Sequence, residues 1–166
     1  MSELWDVYTK DRKPTGRKHQ RGQPIPSGDY HIAVLIWVVD SAGNFIITKR
    51  HPDKPWGGYW ECTGGSVTAG EDSLTGAVRE LAEETGFTPE VSNGRLVHQF
   101  ADYDTLFDVW LFRQDFALSA AKIQQSEVTD IRKAGRPEIL AMLADESMVP
   151  TLRESFQIVC RVLDSD

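Results

Sequence analysis

The stretch GSVTAGEDSLTGAVRELAEETGF, residues 65–87, carries the strongest pattern in the chain. Within it, residues 72–85 repeat apolar side chains at helical spacing, and a glycine follows as a C-terminal stop. On such a helix Glu80, Glu83 and Glu84 lie three and four residues apart and share one face. Clustered carboxylate oxygens suit Mg²⁺ or Mn²⁺, ions that also bind phosphate oxygens. The stretch therefore predicts a glycine-rich loop followed by a helix with an acidic face.

The three glutamates also fit a simpler interpretation, a solvated helix face. Like charges at this spacing weaken a helix by roughly 0.2–0.5 kcal/mol per pair, so the cluster requires either solvent or a cation. The preceding glycines allow the backbone to approach a ligand, and Arg79 is placed beside the acids as a partner for Glu71 or Glu80. This position favours a metal site over a plain surface.

Taken as a whole, residues 65–87 resemble the signature of the Nudix hydrolases. That signature is a glycine, five residues, a glutamate, seven residues, and then Arg-Glu-aliphatic-any-Glu-Glu-any-Gly-aliphatic. The matching residues are Gly65, Glu71, Arg79, Glu80, Leu81, Glu83, Glu84 and Gly86. The last position departs from the pattern, because Phe87 replaces an aliphatic residue. A match at this many fixed positions is far more specific than a lone glycine motif.

The resemblance implies an α/β fold, a Nudix-type α/β/α sandwich with a central mixed sheet. It also implies metal-dependent hydrolysis of a phosphoanhydride bond in a nucleoside diphosphate linked to another moiety, or in a similar small diphosphate. The implied cofactor is Mg²⁺ (or Mn²⁺), whose predicted ligands are Glu80, Glu83, Glu84 and the backbone carbonyl around Gly64 or Gly65. Such a cation would neutralise phosphate charge and orient the attacking water, with Glu80 as the candidate base.

Further site candidates lie outside the helix. Glu127 occurs where many Nudix relatives carry another acid in a late loop that reaches the metals, although an exposed loop glutamate is as good an interpretation. Arg50 ends a predicted strand and suits bidentate contact with phosphate, or else is a surface arginine. Trp60 and Trp56 are candidates for stacking on a base, although packing is the commoner fate of tryptophan. The predicted catalytic set is Glu80, Glu84, Arg79 and Glu127, and the predicted substrate contacts are Arg50, Gly64, Gly65 and Trp60.

The pattern outside the signature predicts one domain over residues 1–166, which opens with a hairpin and link over residues 1–28. This hairpin contains a basic run, which is interpreted as a solvated surface, with attraction of polyphosphate as the alternative; its members are Lys10, Arg12, Lys13, Arg17, Lys18 and Arg21. The predicted strands cover residues 5–8, 17–20, 30–39, 45–50, 60–63, 96–100, 106–112 and 128–133. Two further helices are predicted, one opened by Pro137 and one carrying Leu152, Phe156, Val159 and Leu163.

Composition narrows the function classes. The 18 basic residues against 25 acidic ones give a net charge of -7, which disfavours nucleic acid polymers and anionic membranes as partners. The longest apolar run, residues 32–39, is too short to span a bilayer. Two cysteines make no disulfide framework, and the N-terminus lacks the pattern of a signal peptide, so a cytoplasmic location is expected. The expected partner is a small diphosphate substrate, and the resemblance also allows a homodimer.

Two alternatives remain. Residues 5–17 and 30–60 also resemble the isopentenyl-diphosphate isomerase branch of the same superfamily. Aligned from Glu71, however, the isomerase's catalytic cysteine falls on Gly64, two residues from Cys62, and that branch tends to lose the acids at Glu80 and Glu83. The second alternative is a Nudix-fold protein that binds a ligand without turnover. The intact set of acids argues against it.

Overall fold

The N-terminal hairpin consists of β1 (Leu4–Tyr8) and β2 (Pro14–Gln20) in the computed structural model, which describes residues 2–166. The two strands form a separate antiparallel sheet. Backbone and side-chain hydrogen bonds attach β1 to the loop of the signature: Ala69 N donates to Leu4 O over 2.8 Å and Gly70 N to Asp6 Oδ2 over 2.7 Å. The hairpin is therefore fixed against the segment that precedes the acidic helix.

The first half of the central sheet is built around a gap between two diverging strands. Its strands are β3 (His31–Val39), β4 (Asn44–Arg50), β5 (Trp60–Glu61) and β6 (Thr63–Ser66). β3 and β4 pair at one register position, Val39 with Phe45, and then separate. β5 pairs with β4 and β6 pairs with β3, so these two short strands fill the gap. The single strand predicted over residues 60–63 is in fact two strands that meet at Cys62.

The remaining elements complete a mixed sheet. They are α1 (Ser73–Thr85), β7 (Gly94–Asp102), β8 (Thr105–Arg113), β9 (Val128–Gly135), α2 (Arg136–Ala144) and α3 (Arg153–Ser165). β8 runs parallel to β3 and antiparallel to β7, while β9 lies antiparallel to β4. Short 3₁₀ turns cover residues 91–93, 118–120 and 150–152.

Alternation along the sheet divides the apolar side chains between two cores. On one face, Trp37 and Phe45 pack around Phe156 of α3, with ring centroids 4.9 Å and 5.2 Å from it. On the other face, Ile36 belongs to a cluster that includes Leu81 of α1. Successive residues of a strand point to opposite faces, so β3 serves both cores. The three layers confirm the predicted α/β/α sandwich.

The acidic helix begins and ends where the sequence predicts. The Asp72 carboxylate accepts a hydrogen bond from Thr75 N over 2.7 Å, which caps the N-terminus of α1. Gly86 adopts a left-handed conformation with φ of 79°, and its N–H donates to Ala82 O. Among residues 2–166, no helix is both long and apolar enough to span a membrane.

Candidate active site

A cavity of about 1020 Å³ opens beside the diverging strands. Most of the predicted site residues line it, namely Arg50, Gly64, Gly65, Arg79, Glu80, Glu83, Glu84 and Glu127. Its size is at the upper limit of roughly 300–1,000 Å³ that is usual for small-molecule sites. A smaller cavity of about 560 Å³, beside Val39 at the other end of β3, contains none of these residues. The chemistry-bearing side chains therefore define the larger cavity as the candidate site.

Two glycines allow β6 to pass between its neighbours. A Cβ on Gly64 would lie 2.5 Å from Val34 O, and a Cβ on Gly65 would lie 2.3 Å from the Glu80 carboxyl carbon. Any side chain at Gly65 would therefore displace Glu80. The sequence predicts these glycines in a loop whose backbone approaches a ligand, whereas the structure places them in β6, where they allow the strand to approach β3 and Glu80 closely.

Arg79 organises the acids around the glycine-rich loop. Its Nε donates to Glu71 Oε1 over 2.8 Å, and its Nη1 donates to Glu80 Oε1 over 2.8 Å and to Glu83 Oε2 over 3.2 Å. Its Nη2 donates to Glu71 Oε2 over 3.0 Å and to Ser66 O over 2.9 Å. Burial opposes the charge on Arg79, but the bonds to Glu71 and Glu80 outweigh this and raise its pKa. The planar guanidinium of Arg79 therefore connects α1 to Ser66 and to Glu71 in the preceding loop.

Glu84 is the most deeply buried acid of the site. Its side chain is 7 % exposed, and within residues 2–166 its Oε2 atom has no hydrogen-bond partner. Burial raises its pKa well above the ordinary value, and the charges of Glu61, Glu80 and Glu127 add to this effect. A buried carboxylate oxygen without a partner is costly. This atom therefore needs an explanation that the protein's own contacts do not supply.

The acids have the composition of a cation site, but two of them are paired with Arg79. No three His, Cys, Asp or Glu side chains of residues 2–166 converge closely enough to enclose a metal ion. Arg79 Nη1 bonds to Glu80 and Glu83, which keeps their carboxylates on the arginine. Oxygen ligands are nevertheless what a hard divalent cation prefers, and Glu84 Oε2 is free to bind one. The donor set fits Mg²⁺ or Mn²⁺ after a local movement of these side chains.

Two cations line the cavity together with the acids of α1. Arg50 Nη1 donates to Glu61 Oε2 over 2.7 Å, and Arg50 Nε donates to Pro55 O over 2.7 Å. Lys54 Nζ donates to Glu127 Oε1 over 2.6 Å. Burial raises the pKa of Glu61 to about 7, although the Arg50 charge acts against it. The sequence patterns indicated neither Glu61 nor Lys54 as a site residue. Glu61 could have been found from strand alternation, because it follows Trp60, whose side chain faces the core.

Trp60 does not enter the cavity, contrary to its prediction as a substrate contact. Successive strand residues point to opposite faces, so Trp60 packs against the core beneath α2 and α3 while Glu61 lines the cavity. The Arg132 guanidinium lies 4.7 Å from the Trp60 ring centroid. Trp56 is also absent from the lining and meets Tyr59 edge to face at 5.3 Å. Neither tryptophan is placed to stack on a base within the cavity.

The remaining wall comes from the N-terminal hairpin and the β7–β8 turn. Glu3 and Arg21 line the cavity on the hairpin side and form an ion pair of 2.8 Å, while Tyr103 lines it from the turn. Trp5 stacks on His31, another lining residue, with ring centroids 4.0 Å apart. These residues are remote from the signature in sequence, and no pattern in the chain predicted their position.

The sequence of the chain is similar to those of known proteins. The sequence model of the NUDIX domain matches residues 29–147. The chain belongs to the Nudix hydrolase family. A Nudix hydrolase of Listeria monocytogenes is 31% identical over 150 residues, which cover 89% of each chain. The predicted membership of the Nudix hydrolase family is therefore confirmed, and with it the prediction that the protein is a hydrolase of phosphoanhydride bonds.

Solved structures share the Nudix fold. A crystal structure from Deinococcus radiodurans gives a TM-score of 0.71 at 18% identity, covering 86% of this chain and 90% of the other. The NUDIX domain of Shewanella oneidensis NrtR, complexed with ADP ribose, gives 0.67 at 16% identity, covering 81% and 88%. Identities this low show the fold alone. The matched family segment begins at residue 29, so the hairpin that lines the Nudix cavity lies outside it.

Proposed function

We propose that this Nudix hydrolase cleaves a phosphoanhydride bond in a nucleoside diphosphate linked to another moiety, with Mg²⁺ or Mn²⁺ as its cofactor. One observation carries the proposal: Glu84 is buried beside Glu80 with an unpartnered carboxylate oxygen, in a cavity that Arg50 and Lys54 also line. Acidic and basic side chains therefore line the same space. This arrangement suits a substrate that is itself anionic and that is accompanied by a cation.

The metal would be held by Glu80, Glu83, Glu84 and the Gly65 carbonyl. When bound, the cation neutralises phosphate charge and lowers the pKa of a bound water. Glu84 supplies the oxygen that lacks a partner, and Glu80 lies directly against the Gly65 backbone. Glu83, whose side chain is 50% exposed, is the least buried of the three acids and would join the metal site by leaving Arg79.

The protein's own groups then have separate tasks. Glu80 accepts the proton of the attacking water, whose oxygen forms the new bond to phosphorus as the bridging P–O bond breaks. The bridging oxygen leaves with the departing phosphate. Arg79 keeps Glu80 and Glu71 in place, and Arg50 contacts phosphate oxygens as a fork-shaped donor. Glu127 is the additional acid at the edge of the metal site.

A substrate larger than inorganic diphosphate suits the dimensions of the site. The cavity extends from α1 to the N-terminal hairpin, and its volume of about 1020 Å³ accommodates a nucleotide with a second moiety. The complex of the Shewanella oneidensis domain makes ADP ribose a reasonable first compound to test, on the basis of a shared fold. We therefore propose a small nucleotide-linked diphosphate as the partner of this site.

The isomerase alternative is disfavoured by the position of Cys62. This residue is 1 % exposed, and burial raises the pKa of its thiol well above the ordinary value, so a reactive thiolate is disfavoured. The alternative of binding without turnover is disfavoured by Glu84, because a pure binding protein gains nothing from an unpartnered buried acid beside Glu80.

A substrate panel tests the proposal. Nucleoside triphosphates, dinucleotide polyphosphates, nucleotide sugars, ADP ribose and prenyl diphosphates are each incubated with enzyme and Mg²⁺ or Mn²⁺ in ¹⁸O-water, and products are read by phosphorus NMR. We expect hydrolysis of a nucleotide-linked diphosphate, with ¹⁸O incorporated into one phosphate product. Turnover of simple phosphomonoesters only, or of isopentenyl diphosphate to its isomer, would overturn the assignment.

A further inference from the structure

An ion pair connects two loops across the edge of the cavity. Lys54 belongs to the loop of residues 51–59, and Glu127 belongs to the loop that precedes β9. Their charged groups are 2.6 Å apart, and their side chains are 28% and 34% exposed. The backbone supports the same approach, because His51 N donates to Glu127 O over 2.9 Å. The two loops are therefore held together at the point where both line the cavity.

Glu127 is part of the acidic environment of the site. Its charge contributes to raising the pKa values of both Glu61 and Glu84, so the three carboxylates are close enough to repel one another. Arg50 neutralises Glu61, and Lys54 neutralises Glu127. Lys54 is therefore the cation that occupies this acid in the protein without ligands.

The Lys54–Glu127 contact is suited to exchange. A partly exposed ion pair contributes little to stability, so its rupture costs little. The ammonium group is a compact charge on a flexible stem, and it can turn to another oxygen without rearrangement of the backbone. Arg50 differs, since its Nε–H is also committed to Pro55 O. Of the two cations, Lys54 is the one that can change partner.

We propose that Lys54 exchanges Glu127 for a phosphate oxygen of the substrate, which frees the Glu127 carboxylate to face the metal held by the glutamates of α1. Lys54 is then a substrate-binding residue that recognises the diphosphate group. The proposal rests on the proposed function, because it requires a diphosphate substrate and a divalent cation in the same cavity. It also assigns a ligand-dependent role to a residue outside the family signature.

Exchange predicts opposite effects when the lysine charge is removed. In Lys54→Met, Glu127 is no longer neutralised, so the metal-free protein should bind Mn²⁺ about two- to fivefold more tightly, the equivalent of a partly exposed ion pair. A diphosphate should bind about tenfold or more weakly, because a charge-assisted hydrogen bond is lost. A lysine that only held the two loops together would weaken both ligands in the same direction.

The experiment measures binding by calorimetry, so it does not depend on turnover. Mn²⁺ alone is titrated first, and imidodiphosphate, a non-hydrolysable diphosphate, is then titrated into the Mn²⁺-loaded protein. The variants are Lys54→Met, Lys54→Arg as the conservative replacement, and Lys10→Met as an exposed control on the hairpin. Lys54→Arg should retain most of the diphosphate affinity. Lys10→Met should match the wild type for both ligands.

A further variant isolates the acid. In a Glu127→Gln background, Lys54→Met should no longer increase Mn²⁺ affinity, because the carboxylate that it uncovers is absent. Unchanged or weaker Mn²⁺ binding in Lys54→Met, or unchanged imidodiphosphate binding, would overturn the exchange. If the wild type hydrolyses no compound of the panel, the proposed function fails, but these titrations still decide whether Lys54 exchanges partners.

Discussion

Removal of the Arg12 guanidinium should destabilise the fold through a buried carboxylate. Arg12 lies in the turn of the N-terminal hairpin, and its Nη1 donates to Asp108 Oδ1 over 2.6 Å. Its Nη2 donates to Phe107 O over 2.8 Å and, more weakly, to Phe100 O over 3.3 Å. The Asp108 side chain is only 4% exposed, and its Oδ1 also accepts a hydrogen bond from Gln99 Nε2 over 2.9 Å. Arg12→Met therefore leaves a buried charge with one donor.

The size of the effect follows from this burial. Removal of one partner from a buried ion pair costs about 3–5 kcal/mol. Because the Arg12 side chain is 24% exposed, water can reach part of the vacated space, so we expect the lower end, about 3 kcal/mol. For a chain of this length, that corresponds to a decrease in Tm of roughly 6–12 °C.

Thermal and urea unfolding of matched variants measure this loss of stability in Arg12→Met. Arg17→Met is the control, because Arg17 of the same hairpin pairs with Asp29 at an exposed position, and its removal should change Tm far less than Arg12→Met does. Adding Asp108→Asn to Arg12→Met should restore part of the lost stability, since the unpaired charge is then absent. If Arg12→Met unfolds within 1 °C of the wild type, or if Asp108→Asn brings no recovery, the buried ion pair does not stabilise the hairpin as argued.

Three other perturbations test the site. Gly65→Ala should reduce turnover at least tenfold, because the added Cβ displaces Glu80. Gly135→Ala is the control, because its Cβ makes only ordinary contacts and turnover should be unchanged. Steady-state rates measure turnover in both variants, and circular dichroism checks that both are folded. Cys62→Ser should leave kcat nearly unchanged, and isomerisation of isopentenyl diphosphate that this substitution abolishes would instead support the isomerase. Burial raises the pKa of Glu84 in the folded protein, so above about pH 4.5 the folded state keeps a proton that the unfolded state loses, and stability falls as pH rises. The Tm advantage of metal-free Glu84→Gln over the wild type should therefore grow as the pH rises above about 4.5, and an advantage that stays constant would contradict this.

Local signals in the sequence were sufficient for the acidic helix. Asp72 caps α1 and Gly86 ends it, because both effects depend on residues within one turn of the helix. The glycine-rich loop and the acidic face follow from fixed spacing in the same stretch. The signature therefore predicted both the helix and the three glutamates with which α1 lines the cavity.

The other walls of the cavity depend on contacts that spacing does not encode. Arg12 and Asp108 are 96 residues apart in the chain, so the spacing of the basic run did not reveal that one of its members, Arg12, pairs with a buried carboxylate. The other members of the run are exposed, as predicted. Lys54 and Glu127 are 73 residues apart, and their approach depends on the path of two loops. The sequence left open whether Trp60 stacks on a base or packs in the protein, because the register of a two-residue strand is set by its neighbours in the sheet.

The central claim is that the acidic face of α1 holds a divalent cation that hydrolysis requires. The most direct test is Mn²⁺ titration of metal-free Glu84→Gln, followed by turnover of a substrate that the wild type hydrolyses. Glu83→Gln is the second ligand variant, and Glu154→Gln, an exposed change on α3, is the control. We predict that Glu84→Gln loses Mn²⁺ affinity and turnover by at least roughly a hundredfold while its metal-free Tm is unchanged or higher. Near-normal Mn²⁺ affinity and turnover in both Glu83→Gln and Glu84→Gln would show that these glutamates are not the metal site.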